Sequence, residues 1–389
     1  ILIYRPFLIR SGQQEGLSFV NKSLVSSVVF SSGGFSAKYG DKMASVLDVK
    51  YRNPNSFRHS AELSLLGGAF HTEGASKDQK FSYIAGFRHK SAGYILSSME
   101  TEGDYKPRFS DFQAYLTYSP KDNVEISLLG NLASNVYEFE PESRSTKFGT
   151  LQRAYDLYID FAGQEIDEFT TATGGLTLKW SPNDHVIAKF IGSAYLSDEA
   201  ETYDIQGRYN LNLLDRQMGE NLGDSALNLG VGRYLDHARN FLDARVLAFS
   251  HIGTYSEGNM NFQWGMRYQT EFIHDQISQW QLLDSAGFSI PYDDEEVSLA
   301  ENVRTTHELV NERYEIYFNF LQTLYGNHGQ WDYRIGVRSS LWSYNSELTF
   351  SPRASVSFRP YWEADWLFRF SAGWYHQPPF YKELRMPDG

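Results

Sequence analysis

The chain of 389 residues contains no cysteine, which removes disulfides, thiolate metal sites and cysteine nucleophiles from consideration. Positive charge is also in deficit. Against 48 Asp and Glu stand 35 Lys and Arg, a formal net charge of −13, the reverse of the basic footprint that nucleic acid requires. No stretch approaches the ~18 consecutive apolar residues of a transmembrane helix. The motifs of nucleotide and metal chemistry are missing too: there is no H-E-x-x-H, no Walker A loop and no G-x-G-x-x-G, since Gly230-Val-Gly232 lacks its third glycine. The ten histidines are scattered, and His59, His89 and His376 fall where strands are expected. Paired carboxylates such as Glu165 and Asp167, or Asp198 and Glu199, have no known separation in space and do not make a glycosidase. No enzyme, cofactor or resident metal is expected. The opening ILIYRPFLIR has no initiator Met and no signal peptide, and the ending MPDG follows no closing strand. Both are expected of an internal part of a longer protein.

What the chain has in quantity is aromatic residues, 16% of the total, with 26 Tyr, 27 Phe and 8 Trp. They sit in runs of strict alternation. Phe112, Ala114, Leu116 and Tyr118 alternate with Asp111, Gln113, Tyr115 and Thr117. Phe262, Trp264, Met266 and Tyr268 alternate with Gln263, Gly265, Arg267 and Gln269. A period of two means strands with one apolar and one polar face. Short turns are expected at Ser119–Asn123, Ser181–Asp184, Tyr255–Asn259, Gly326–Gln330 and Arg359–Ala364, and long polar connections at about 100–110, 136–168, 198–239, 276–311 and 343–351. Short and long connections alternate, as they do in a transmembrane barrel with tight turns on one side and long loops on the other. Three turns repeat a ring-x-Pro pattern, at Tyr118, Trp180 and Phe358, which would set aromatic rings at a membrane interface. About thirteen strands are expected from the alternation, starting near 57, 80, 92, 111, 124, 169, 185, 240, 259, 312, 331, 352 and 364.

The pattern changes at Ser31–Pro54, SSGGFSAKYGDKMASVLDVKYRNP. Gly33 and Gly34, and then Gly40, are points where the backbone can take angles closed to other residues. Ala44–Tyr51 reads as one alternating strand. Residues 1–54 therefore form a small piece, with apolar runs at Ile1–Tyr4, Phe7–Ile9 and Leu24–Phe30, and residues 55–389 a large repetitive one.

The segment resembles the end of the plug domain of TonB-dependent outer-membrane receptors, in the form common among Bacteroidota-like members. The resemblance rests on Gly33, Gly34, Phe35, Tyr39, Gly40, Asp41, Leu47 and Asp48. It extends through GLSFVNKSLVSSVVFSSGGF (Gly16 to Phe35), through the G-x-R … S-P-R-x-S hairpin of Gly336–Pro360, and through FRFSAGWYHQPPFYKEL (Phe368–Leu384). It implies that residues 1–54 are the C-terminal part of a mixed α/β plug, and that residues 55–389 are the N-terminal part of an antiparallel barrel of about 22 strands. It further implies active import of a siderophore, cobalamin, oligosaccharide or peptide, driven by the TonB–ExbB–ExbD complex through an upstream segment. Outer-membrane lipid and lipopolysaccharide, and a surface lipoprotein, are the other partners it suggests. Ligand contacts are expected in the long loops at Tyr137, Phe139, Tyr155, Tyr158, Tyr203, Tyr209, Trp280 and Tyr292. The acidic run Asp293–Glu296 reads as a solvated loop or a calcium site. Two other readings stay open: a structural or adhesive barrel without a transport cycle, and a soluble β-sandwich or carbohydrate-binding protein.

Overall fold

The computed structural model describes residues 20–96, 103–150, 152–215, 223, 225–379 and 381–384. The apolar runs Ile1–Tyr4 and Phe7–Ile9 and the chain's last five residues lie outside them. Strand takes up 76% and helix 2%, so the fold is all-β. Strands β1 (Val25–Ser32) and β2 (Ser45–Tyr51) form a hairpin of their own. Every later strand belongs to one antiparallel sheet of 16 strands. In chain order these are β3 (Arg58–Ser64), β4 (Gly67–Ala75), β5 (Phe81–Ser91), β6 (Gly103–Tyr105), β7 (Arg108–Lys121) and β8 (Val124–Pro141). Then come β9 (Arg144–Gly149), β10 (Ala154–Asn183), β11 (Val186–Leu214), β12 (Ser225–Glu257) and β13 (Met260–Ser285). The last are β14 (Phe288–Ile290), β15 (Glu301–Gly326), β16 (Gly329–Trp342), β17 (Glu347–Pro360) and β18 (Phe368–Gly373). The main path is a meander in which each strand pairs with the one before it, and β6, β9 and β14 add short pieces beside β8, β10 and β13. Among the described residues the sheet is not closed, and β3 and β18 are its two edges.

The turns expected at one end of the sheet are there, and side chains tighten them. Asn183 Oδ1 accepts from the backbone N–H of His185 (3.0 Å) and of Val186 (2.9 Å), an Asx turn that joins β10 to β11 in two residues. Gly258, with φ 55°, turns β12 into β13.

Two expectations fail. No strand starts near 92: Gly93–Leu96 is a single helical turn, and the missing strand is β4, whose GGAFHTEGA is too rich in glycine to show an apolar period. The long polar connections at 136–168, 198–239 and 276–311 are largely strand, because β10 starts at Ala154, β11 runs to Leu214 and β12 starts at Ser225. Pairing needs only backbone groups. An apolar period runs on into these stretches, since Tyr155, Leu157, Ile159 and Phe161 alternate with Asp156, Tyr158 and Asp160, and Tyr209, Leu211 and Leu213 with Arg208, Asn210 and Asn212; the density of charged and amide residues hides it.

The two faces of the sheet are inverted relative to a water-soluble core. Leu132 is 60% exposed and its neighbour Asn131 2%; Ile316 is 46% exposed and Glu315 7%. The apolar face forms a band, with Ala172–Trp180, Ala188–Leu196, Leu247–Tyr255 and Phe262–Phe272 in register on β10 to β13. It is edged on the turn side by exposed Tyr118, Trp180 and Tyr255, and by Trp331 stacked on Phe358 at 4.3 Å. On the far side the same face becomes charged along one row, Asp198, Asp243, His274 and Glu308. No helix among the described residues is long and apolar enough to cross a membrane.

Candidate functional site

Residues 35–41 lie against the polar face of β15 to β17. Gly33 and Gly34 take φ of 75° and 60°, a left-handed pair that folds the chain back onto the sheet. Gly34 also has Ser371 so close that a Cβ would fall 2.8 Å from its hydroxyl. Gly40 differs from the expectation. Its backbone is ordinary, and what it supplies is space, since a Cβ there would overlap the Arg338 guanidinium. The residue that takes the left-handed angle is Asp41, at φ 54°.

Two arginines hold the turn by its backbone. Arg353 Nη1 donates to the carbonyls of Tyr39 (2.7 Å), Ser36 (2.9 Å) and Phe35 (3.4 Å). Its guanidinium lies 5.1 Å from the Phe35 ring centroid and 4.3 Å from that of Tyr375, and these rings meet edge-on at 4.8 Å. Arg338 Nη1 donates to the carbonyls of Ala37 and Lys38, both at 3.3 Å, while its Nη2 pairs with Glu315 at 2.6 Å. Arg313 lies between Asp41 (3.5 Å) and Glu271 (3.6 Å), over the Trp342 ring. Ser36 donates to Asn319 Oδ1 at 3.1 Å. Carbonyls that a turn leaves without partners thus receive charge-assisted donors.

The turn is tied to its own hairpin as well. Tyr39 donates to Asp48 at 2.5 Å and Lys38 approaches the same carboxylate at 3.4 Å. Burial pushes against ionisation of Asp48, yet the Tyr39 hydroxyl and Lys38 ammonium hold its carboxyl below the usual range. Burial and the Asp48 carboxylate push the Tyr39 phenol up. Burial and the neighbouring Glu315 push Asp41 up to about 6, against the pull of Arg313, Arg338 and Arg267. Burial pushes Lys42 down. Leu47 pairs with Phe30 in the hairpin and stays exposed. A second anchor lies further along the sheet. Arg88 grips Asp111 through two bonds of 2.7 Å and reaches the Val20 carbonyl at 3.2 Å, while Arg52 joins the Ser23 carbonyl to Glu73 and His71. Leu24 is fully buried and Tyr51 donates to Gln113 at 3.3 Å.

Arg313, Arg338 and Arg353 were not singled out from the sequence. Two of them stand inside the G-x-R and S-P-R-x-S runs of Gly336–Pro360, and parity places them on the polar face.

Seven of the eight rings expected in loops are corrected. Tyr137 and Phe139 are on β8, Tyr155 and Tyr158 on β10, Tyr203 and Tyr209 on β11, and Trp280 on β13; Tyr292 alone lies outside a strand. Nor do they converge. Tyr137 and Phe139 pack on Tyr105 (6.3 and 4.6 Å), Tyr155 on Phe148 (5.5 Å), and Tyr292 on Phe288 (5.6 Å). Trp280 stacks on His237 at 4.8 Å, on the opposite face from Tyr203. Tyr137, Phe139 and Tyr203 do share a face with Glu165, Asp167 and Glu201, whose carboxylate oxygens lie within 4.8 Å of one another. An oxygen-ligated cation would need such a set. In the acidic run, Asp293 accepts from the backbone N–H of Glu295 (2.8 Å) and Glu296 (3.1 Å), closing a local turn. His89 is on β5 and His59 on β3, whereas His376 follows β18 and bonds Ser351 at 2.9 Å.

No protein-family model matches the chain, and no curated protein matches it.

Proposed function

We propose that this chain is part of a TonB-dependent receptor of the bacterial outer membrane, in which the 16-stranded sheet belongs to a barrel and residues up to 54 to the plug inside it. The observation that carries the reading is the inverted polarity: an apolar face left exposed, and a polar face covered in part by residues 20–54. The apolar band is as long as a tilted membrane-spanning strand, ~9–11 residues, and aromatic rings edge it as they edge a lipid interface. A sheet at that depth cannot keep open edges, so β3 and β18 are paired in the membrane by further strands. The Arg353 and Arg338 clamp on residues 35–39 supports the assignment of that segment to a plug.

In this reading the plug closes the lumen, a ligand enters from the far side, and the TonB–ExbB–ExbD complex opens a path by pulling on the segment before the plug. The acidic row beyond the band meets lipopolysaccharide through bridging divalent cations. The test is uptake by cells carrying the whole gene, with TonB intact or deleted, alongside fractionation of the outer membrane. Recovery in buffer without detergent would overturn the membrane assignment. Outer-membrane recovery with uptake indifferent to TonB would overturn transport and leave a structural barrel.

A further inference from the structure

Strands of unequal length leave steps in the sheet, where a long strand runs past its neighbour and has a backbone edge to cover. Three such steps are covered by a short strand from the adjoining connection. β6 pairs with residues 139–141 of β8 past β7, β9 with residues 154–159 of β10 past β8, and β14 with residues 283–285 of β13 past β15. β15 makes a fourth step. It pairs with β13 as far as Glu301, whereas β16 ends at Trp342, opposite Arg313. Glu312 still faces the β16 side, because its carbonyl accepts from Ser343 N–H at 2.9 Å and its N–H donates to Ser343 Oγ at 2.7 Å. The N–H and C=O of one residue point the same way, and successive residues alternate. Val310, Glu308, Thr306, Arg304 and Asn302 therefore turn their backbones to that side too. No strand among the described residues meets them there, and all five are exposed. The adjoining connection, residues 343–346, is too short to form a covering strand.

We propose that this edge of β15 docks an extended basic peptide by strand addition. Bare N–H and C=O groups along an edge are a template for another chain, and they supply the grip, while charge and alternate side chains supply selection. The connection entering β15 carries Asp293, Asp294, Glu295 and Glu296, all exposed, and the strand itself sets Glu301 and Glu308 against Arg304 alone. On the inward face Val303, Thr305 and Leu309 are half-buried, a surface for apolar side chains at every second peptide position. The inference rests on the membrane reading only in placing this edge, past the row of charge that includes Glu308, in water.

Hydrogen exchange on the protein of the whole gene, in micelles of a neutral detergent, tests it. Without peptide, the amides of Asn302, Arg304, Thr306 and Glu308 should exchange freely, while those of Val303, Thr305 and His307, which face β13, are protected. Protection of both sets would mean that the protein's own chain covers the edge, and would overturn the proposal. The probe is an octapeptide of alternating Lys and Val. It should slow the free set in proportion to 1 + [peptide]/Kd, about elevenfold at ten times Kd, and no slowing would also overturn the proposal. N-methylation of either all its Lys or all its Val residues should abolish the effect, and methylation of the other set should spare it. Equal slowing by both methylated peptides would mean charge attraction without strand addition. Thr306→Pro removes an edge N–H that does not bond β13, a place where a strand tolerates proline, and should also abolish the effect; a response like wild type would sink the assignment. These amides report on the edge whether or not uptake needs TonB, so failure here leaves the transport reading standing.

Discussion

Strand β10 passes without a break from one environment to another. Between Ala172 and Trp180 its outward face carries Ala172, Gly174, Leu176, Leu178 and Trp180; further from the turns the same face carries Glu168, Gln164 and Asp160. The backbone ladder to β11 is continuous across the change. Hydrogen bonding between strands is therefore indifferent to what surrounds them, and side chains alone report the medium. The inward face divides at a similar level. On the turn side, arginines hold residues 35–41; on the far side, the carboxylates of Glu165, Asp167 and Glu201 gather.

The division can be broken first at the clamp. Arg353→Ala removes bonds from a charged donor to three carbonyls, at roughly 1.5–3 kcal/mol for each such bond. Hydrogen exchange should show residues 33–43 released by several kcal/mol, with β11 and β12 beyond Asp198 unchanged. Uniform loss of protection through the whole sheet would contradict the two-part picture. Next comes the outward face. Leu176→Arg should cost about 2–4 kcal/mol in urea unfolding from lipid vesicles, as charge at bilayer depth does. Ala162→Arg, on the same strand and face, should stay within about 0.5 kcal/mol. Equal costs at the two positions would end the assignment of one band to lipid.

Acidity sharpens the comparison further. Asp41 is pushed from its ordinary 3.8 up to about 6 when docked, so docking favours its protonated form. The stabilisation is complete below the unfolded value and is lost as pH rises through about 6. Exchange of residues 33–43 should quicken between pH 4 and 6 after correction for the intrinsic rate, and Asp41→Asn should flatten the slope. The smallest effect belongs to the far side. Asp204 takes Arg239 and His237, the latter at 2.6 Å, on an exposed surface. Asp204→Ala should cost about 0.2–1 kcal/mol and less in high salt; a larger cost would mean that this surface is covered by a partner.

Legibility followed the same division. Phe112–Tyr118 and Phe262–Tyr268 read correctly as strands because one face is apolar and the period shows. Tyr155, Tyr203 and Trp280 read as loop residues because charged and amide residues crowd around them, although Tyr155–Phe161 and Tyr203–Leu213 alternate and their backbones pair as regularly. The turn residues Gly33 and Gly34 were legible through backbone freedom. Gly40 was legible as important but for the wrong reason, since its need is room for a guanidinium nearly 300 positions away in the chain.

The sequence alone determined the all-β class, the alternating faces and the short turns, because period, turn chemistry and composition are local properties. Tertiary structure decided which face is covered and which arginines meet which carbonyls. Those facts depend on contacts between distant strands, and no spacing along the chain encodes them.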